Sequence, residues 1–196
     1  MAKYTFFGIQ VLFQIGADTV RAELRKAIAA AAENPEMSLA DKVLFWKGVV
    51  AAALEGAPRF DLGFWDYIAD PTRAEIEFDK WTSELEAESA TTDAEVGAAP
   101  AEGYRMSAKP EYVALTALFL LEKGGNSDAT VADRLDLPED EWWKRDTFVG
   151  LFETIRMLSF ASVRADAVYL VPGSAEDGLS FDDVHGGGWE YLHQLS

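Results

Sequence analysis

The sequence predicts an α+β fold in which a small β-sheet packs against about five helices. Apolar, aromatic and β-branched residues concentrate near residues 4–15, 111–121 and 162–171, as is typical of strands. Segments whose apolar residues recur at helical spacing lie between these runs. An apolar content of 49% in 196 residues is enough for one full core. We therefore expect a single domain over residues 1–196, and the pattern leaves strand order and direction open.

A short turn separates the first predicted strand from the first predicted helix. Residues 4–15 are rich in aromatic and β-branched side chains and end at Gly16, which favours a buried strand over a helix. Asp18 is placed to cap the following helix, and Asn34 with Pro35 is placed to end it. The apolar residues of this helix share one face: Val20, Leu24, Ala27, Ile28 and Ala31.

Two further helices follow in the first half of the chain. Ser38 and Asp41 form a variant of the capping box, with Asp in place of Glu, so a helix is predicted from there to just before Gly56. Pro71 is a favoured first residue of a third helix, which continues through Leu85. Each helix has one apolar face and must pack on another element.

The segment between the second and third helices, residues 59–68, is predicted as a loop with four aromatic side chains. A small hydrophobic cluster beneath the loop would explain these side chains without any function. Alternatively they form a docking surface, because Trp, Tyr and Arg are enriched at interface hot spots. Phe64, Trp65 and Tyr67 are the candidate partner-binding residues of this segment.

An acidic stretch without bases follows the third helix. Six Asp and Glu residues and no Lys or Arg lie between Lys80 and Arg105, among many Ala, Thr, Gly and Pro residues. This composition predicts an acidic flexible linker or long loop near residues 86–106.

The second half of the chain repeats the order of a strand followed by helices. A strand is predicted over residues 111–121, and Ser127 or Asp128 then caps a short helix that ends at Leu135. The next helix begins with an acidic first turn at residues 138–141 and turns four apolar side chains inward: Phe148, Phe152, Ile155 and Leu158. The last strand, residues 162–171, alternates and places on one face Val163, Ala165, Ala167, Tyr169 and Val171.

Two adjacent tryptophans, Trp142 and Trp143, follow this acidic turn. Adjacent helical positions differ by about 100°, so one of the two rings must point away from a one-sided core. An exposed Trp marks a contact surface. Trp142 therefore joins the candidate partner-binding residues.

The charge balance restricts the classes of ligand. Lys and Arg number 17 against 34 Asp and Glu, which gives a formal net charge of −17. Such a charge opposes contact with phosphates, so we expect neither nucleic acid nor an anionic membrane as a partner. A second acidic stretch, after Arg164, contains Asp182 and Asp183, and these two are candidate contacts for a basic partner.

The sequence has no Cys, which excludes disulfides, thiolate zinc sites and thiol nucleophiles. No secretory signal and no run of about 18 apolar residues is visible. We therefore expect a cytoplasmic protein, or a soluble fragment of a larger one, without direct membrane insertion.

Motifs for catalysis and cofactor binding are absent from the sequence. His185 and His193 lie eight residues apart, which does not match the i, i+4 spacing of a helical metal site. No nucleophile elbow and no phosphate-binding glycine loop occurs. We therefore predict no catalytic residue, no metal site and no cofactor. An acidic pocket around Asp182, Asp183 and His185 stays open as an alternative site.

Several segments, taken in order, are similar to a known family. They are residues 8–14, 64–67, 78–81, 111–118 and 168–183. Together they resemble the domain of unknown function that cyanobacterial and other bacterial proteins share with the chloroplast fluctuating-light-acclimation proteins. The resemblance covers most of the chain, and its motifs are structural. It implies no catalytic residues and favours a non-enzymatic role.

The sequence thus predicts a non-enzymatic interaction or regulatory domain that binds a protein partner, with a basic partner fitting the charge. The alternative is a small-molecule-binding or metal-binding protein, or an enzyme, with an acidic pocket near the C-terminus. Self-association stays open. The candidate partner-binding residues are Phe64, Trp65, Tyr67, Trp142, Asp182 and Asp183.

Overall fold

The computed structural model describes residues 2–14, 19–34, 36–94, 111–172, 178–185 and 188–196, with the side chains of residues 87–94 left out. Over these residues, five strands form one antiparallel sheet in the order β4-β3-β1-β2-β5. The strands are β1 (Tyr4–Gln14), β2 (Phe60–Ile68), β3 (Tyr112–Glu122), β4 (Val163–Val171) and β5 (His193–Gln194).

Helices account for most of the remaining described residues. They are α1 (Thr19–Ala32), α2 (Leu39–Gly56), α3 (Pro71–Ala94), α4 (Asn126–Leu135), α5 (Arg145–Met157) and α6 (Phe181–His185). Short 3₁₀ turns occur at Ala57–Arg59, Glu139–Glu141 and Phe160–Ser162. The predicted α+β class is confirmed, and the strand direction that the sequence left open is antiparallel. No helix within the described ranges has the length and apolar character needed to cross a membrane.

Helices cover both faces of the sheet. Odd-numbered residues of β1, such as Phe7 and Ile9, pack with α1, α2, α4 and α5 in one cluster. Even-numbered residues, such as Phe6 and Leu12, pack with α3 and α6 in a second cluster. Because side chains alternate along a strand, both sets are buried, which explains why β1 reads as a continuous apolar run.

Three of the five strands lie where the sequence predicted them, near residues 4–15, 111–121 and 162–171. The predicted loop at residues 59–68 is wrong, because Phe60–Ile68 is strand β2. Asp61, Gly63 and Asp66 interrupt the run of apolar residues. Because both faces of β2 are covered, apolar and polar residues do not alternate along the strand either.

The prediction that Val163 shares a face with Ala165 is also wrong. Ala165 is opposite Leu120, whereas Val163 is opposite Leu121, so the register shifts by one residue between them. Such a β-bulge places the side chains before and after it on opposite faces of the sheet, so Val163 packs with the cluster around α2 and Ala165 with the cluster around α3.

The predicted capping box of α2 is confirmed. Ser38 Oγ accepts a hydrogen bond of 3.2 Å from the Asp41 N–H, and Asp41 Oδ2 accepts one of 3.3 Å from the Ser38 N–H. The predicted cap of α4 is wrong, since Gly125 is the N-cap and gives no side-chain hydrogen bond. The proposed cap Asp18 lies outside the described residues.

Two other predicted boundaries change. The acidic turn at residues 138–141 does not begin a helix, because Glu139–Glu141 is a separate 3₁₀ turn and α5 begins at Arg145. The four side chains predicted to face inward from α5 and its end are buried: Phe148, Phe152, Ile155 and Leu158. Helix α3 continues to Ala94, so residues 86–94 of the predicted linker are helical, and residues 95–106 lie outside the described residues.

Candidate functional site

A series of aromatic rings in contact runs along the outer edge of β2. Strand β5 pairs with β2 only at Leu62 and Gly63, so the aromatic residues that follow lie beyond this short pairing. Trp65 Nε1 donates a 3.1 Å hydrogen bond to the carbonyl oxygen of Trp142. The centroids of these two rings are 5.7 Å apart, in an edge-on arrangement.

Trp143 continues the series toward the other face of the sheet. Its ring centroid lies 6.1 Å from those of both Trp65 and Phe64, and its plane is within 16° of parallel to Phe64. His193 of β5 stacks on Trp143 at 3.7 Å between centroids. Trp143 therefore contacts side chains from both faces of β2.

Phe64 connects these rings to α3 and to the C-terminal segment. Its centroid lies 6.0 Å from that of Trp81 and 5.4 Å from that of Tyr191. The rings of Trp81 and Tyr191 are themselves 6.4 Å apart. We call the six residues the aromatic band: Trp142, Trp65, Trp143, Phe64, Trp81 and Tyr191.

All six residues of the aromatic band stay partly exposed. Tyr191 is 42% exposed, and the other five are intermediate between buried and exposed. By contrast, Trp46, in the core, is 1% exposed. A contiguous aromatic surface of this kind is typical of binding sites, whereas scattered apolar side chains are not.

A cleft of about 340 Å³ opens at one end of the aromatic band, between α3, β2 and the C-terminal segment. Its aromatic walls are Phe64, Trp81 and Tyr191. Its polar side chains are Gln10, Asp66, Glu77, Lys80 and Glu84, and Leu85 and Gly188 complete the lining. The volume is within the range of about 300–1,000 Å³ that is typical of small-ligand sites.

Helix α3 contributes one face to the cleft. Glu77, Trp81 and Glu84 follow the i, i+4, i+7 spacing that places side chains on one side of a helix. Lys80 lies one turn along the same side from Glu77. Three carboxylates and one ammonium group therefore line the cleft, which is negative overall when all are ionised.

Among the three carboxylates of the cleft, Asp66 has a pKa that burial shifts from its ordinary value. Burial raises the pKa of the Asp66 carboxyl above 3.8, and the nearby Glu77 raises it further. The backbone N–H of Tyr67 and the guanidinium of Arg73 lower the same pKa and oppose this shift in part. A positive charge placed in the cleft would favour the ionised form of Asp66.

A buried amide lies at the back of the cleft. Gln10 is 1% exposed, and its Nε2 donates a 2.7 Å hydrogen bond to Thr116 Oγ1. Its Oε1 accepts a 2.6 Å hydrogen bond from the hydroxyl of Tyr191. The C-terminal wall of the cleft is thus attached directly to β1.

Three of the predicted partner-binding residues lie together in the aromatic band, namely Phe64, Trp65 and Trp142. Tyr67 does not join them, because its hydroxyl donates a 2.6 Å hydrogen bond to Oδ1 of Asp128. Burial, together with the Asp128 carboxylate, raises the pKa of Tyr67 to about 12. Tyr67 therefore belongs to an internal polar network.

The predicted acidic pair lies in α6 and does not line the cleft. Asp183 Oδ2 accepts hydrogen bonds of 2.8 Å and 2.7 Å from the N–H and the hydroxyl of Ser180, and Ser180 Oγ accepts one of 3.0 Å from the Asp183 N–H, so the two residues form a capping box. Asp182 is exposed. His185 stacks on Phe181 at 3.9 Å between ring centroids. In the part of the chain that the structure describes, no group of three His, Asp or Glu side chains is arranged to hold a metal ion.

Sequence reasoning missed most of the cleft. Glu77 and Glu84 share a helical spacing with Trp81, but the sequence predicts only that the third helix has one apolar face that packs on another element. Gln10 is a lone polar residue inside a strand, and a pattern of that kind gives no distance to Tyr191.

Searches of protein-family models, curated proteins and solved structures find no match to this chain.

Proposed function

We propose that this protein is a non-enzymatic interaction domain, and that it binds a basic segment of a protein partner along the aromatic band. The observation that carries this proposal is that the six rings of the band are in contact with one another and partly exposed. Aromatic side chains lose little conformational entropy on binding and dominate binding hot spots.

The charges at the two ends of the band support a basic partner. Asp66 and Glu77 line the cleft at one end. Glu139 and Asp140 are exposed in the 3₁₀ turn that leads to Trp142 at the other end. A partner with Lys or Arg near each end would meet complementary charge, which favours association rate and specificity. Asp182 is exposed and is retained as an outer contact.

A small cationic molecule in the cleft is the second candidate for the function. The cleft volume of about 340 Å³ favours it, because a protein contact does not require a concave site of this size. The predicted acidic pocket thus has a counterpart near the C-terminal segment, formed by side chains other than Asp182, Asp183 and His185.

The test is selection from a display library of random twelve-residue peptides. The parent protein is the bait, and each selected peptide is then measured against Trp65→Ala, Trp142→Ala and Asp182→Asn. We expect the selected peptides to be rich in Lys and Arg, and Trp65→Ala to weaken their binding at least about tenfold.

Leu44→Ala is the matched control for removal of an exposed apolar side chain. Leu44 is 67% exposed on α2, which covers the opposite face of the sheet from α3. Peptides that bind the parent and Leu44→Ala equally, but not Trp65→Ala, support the proposal. Failure to select any peptide, or equal binding by Trp65→Ala and Trp142→Ala, contradicts it.

A further inference from the structure

We infer that the cleft is a subsite for one organic cation, an alkylammonium or guanidinium group, which a Lys or Arg side chain of the partner supplies. The claim that a protein partner supplies the cation rests on the proposed function. The claim that the cleft binds an organic cation rests on the residues of the cleft alone.

The walls of the cleft have the composition that recognises organic cations. Phe64 and Trp81 are stacked within 24°, and Tyr191 meets Phe64 edge-on at 82°. The planes of Phe64 and Trp81 are thus close to parallel, the plane of Tyr191 stands across that of Phe64, and all three rings line the cleft. A cation within about 6 Å of an aromatic centroid is attracted by the negative face of the ring, most strongly for Trp.

The carboxylates supply the complementary charge. Asp66 lies on β2 and Glu77 on α3, so the two acids approach the cleft from different elements. Asp66 is partly removed from water, and the nearby guanidinium of Arg73 offsets the cost of this burial only in part, because the pKa of Asp66 stays raised. A guanidinium or ammonium group in the cleft offsets this cost, and a neutral ligand does not.

Lys80 does not cancel this preference. Its side chain is exposed on α3, and Glu84 lies one turn further along the same helix. The cleft keeps more carboxylates than ammonium groups, so the local field favours a cation. The Gln10 amide already bonds to Thr116 and Tyr191, so charge and aromatic contact are the main sources of affinity.

The chemistry of the subsite is tested with two probes of the same shape, N-butylguanidinium and the neutral N-butylurea. The readout is the NMR chemical shift of the tryptophan indole N–H groups in the full chain. We expect N-butylguanidinium to shift the Trp81 signal in a saturable way. Trp46, which is buried and bonded to Asp166, is an internal reference whose signal stays unchanged.

Two variants of cleft residues and one control variant test whether N-butylguanidinium binds in the cleft. Asp66→Asn keeps the side-chain shape, and Glu77→Gln removes the second charge. Each is expected to weaken N-butylguanidinium at least about threefold, in line with a charge-assisted contact. Asp133→Asn makes the same change as Asp66→Asn at an exposed position on α4 and is expected to leave binding unchanged. Equal binding of N-butylurea, or no change in either cleft variant, overturns the inference.

The source of the cation is tested with the selected peptides. Each Arg is replaced in turn by citrulline and each Lys by Nε-acetyllysine, their neutral counterparts, and one such replacement is expected to weaken binding at least about tenfold in the parent. The same replacement is expected to have little further effect in Asp66→Asn. If peptides bind and no replacement of either kind weakens them, the cation subsite is wrong while the proposed function stands. If N-butylguanidinium binds and no peptide is selected, the protein partner is wrong while the cation chemistry stands.

Discussion

The hydroxyl of Tyr191 donates a 2.6 Å hydrogen bond to Oε1 of Gln10, although 181 residues separate the two in the chain. Gln10 lies in the central strand and is 1% exposed, whereas Tyr191 is 42% exposed at the surface. This bond holds the C-terminal segment against the sheet. It therefore fixes one aromatic wall of the cleft to the central strand of the sheet.

Tyr191→Phe is expected to lower the free energy of unfolding by about 1 kcal/mol, because it leaves the Gln10 oxygen without this donor. Urea denaturation of parent and variant measures the loss. Tyr169→Phe is the matched control, since its hydroxyl meets Glu86 at 3.3 Å on the surface. Surface contacts of this kind contribute little to stability, so the free energy of unfolding is expected to fall clearly less in Tyr169→Phe than in Tyr191→Phe. An equal loss in both variants would contradict the structural role of the Tyr191 bond.

Asp66→Asn is expected to stabilise the unliganded protein at neutral pH while it weakens cation binding. The folded-state pKa of Asp66 is raised, so the protonated form is favoured on folding. The resulting stability is fully present below the ordinary pKa of 3.8 and is lost as pH rises through the raised folded value.

Asn stays neutral over this range, so its advantage over Asp66 should grow from acid to neutral pH. Urea denaturation of both proteins at several pH values from 3 to 7 checks this expectation. A variant whose stability relative to the parent falls as pH rises would mean that the carboxylate is stabilised in the fold. Such an outcome would remove one reason for placing a cation beside it.

Most of the fold was predictable because the spacing of apolar residues along the sequence reflects which side chains are buried. Strands β1 and β3 are apolar on both faces, and the antiparallel sheet buries both faces of each strand. The same physical rule explains the failure at β2. Gly63 and Asp66 break its pattern, and the strand is recognised only through its pairing with β1, which is a property of the whole fold.

The candidate site was predictable only in part. Phe64, Trp65 and Trp142 stand out as aromatic residues in polar surroundings, and the structure joins them. The cleft combines β1, β2, α3 and the C-terminal segment, and no local pattern encodes the distance between Gln10 and Tyr191. The resemblance to the fluctuating-light-acclimation family names no site residue, and it stays a prediction.

Gly63→Ala is expected to destabilise the protein by about 1–3 kcal/mol, because the added methyl group overpacks the core. A Cβ at this position would lie 2.6 Å from a ring carbon of Phe148 and 3.2 Å from Leu195 Cδ1. Gly48→Ala is the matched control, since a Cβ there meets nothing within 4 Å on the exposed face of α2. It is expected to stabilise by about 0.5–1 kcal/mol through helix propensity. Thermal unfolding shifts in opposite directions would confirm both expectations, and a Gly63→Ala protein as stable as the parent would refute the first.

Asp128 joins three parts of the fold through its carboxylate. Oδ1 accepts 2.6 Å hydrogen bonds from the hydroxyls of Thr5 and Tyr67, and Oδ2 accepts a 2.7 Å bond from the Gly124 N–H. The residue is 7% exposed, so water cannot readily replace these donors.

Asp128→Asn is therefore expected to destabilise by about 2–3 kcal/mol, because one carboxylate oxygen becomes an NH₂ group that faces a donor. Asp133→Asn makes the same change at an exposed position of the same helix and is expected to stay within about 0.5 kcal/mol of the parent. Urea denaturation measures both. Hydrogen exchange adds a local readout, since the Gly124 amide should exchange faster only in Asp128→Asn. A small and equal effect of the two substitutions would show that the network does not hold α4 to the sheet.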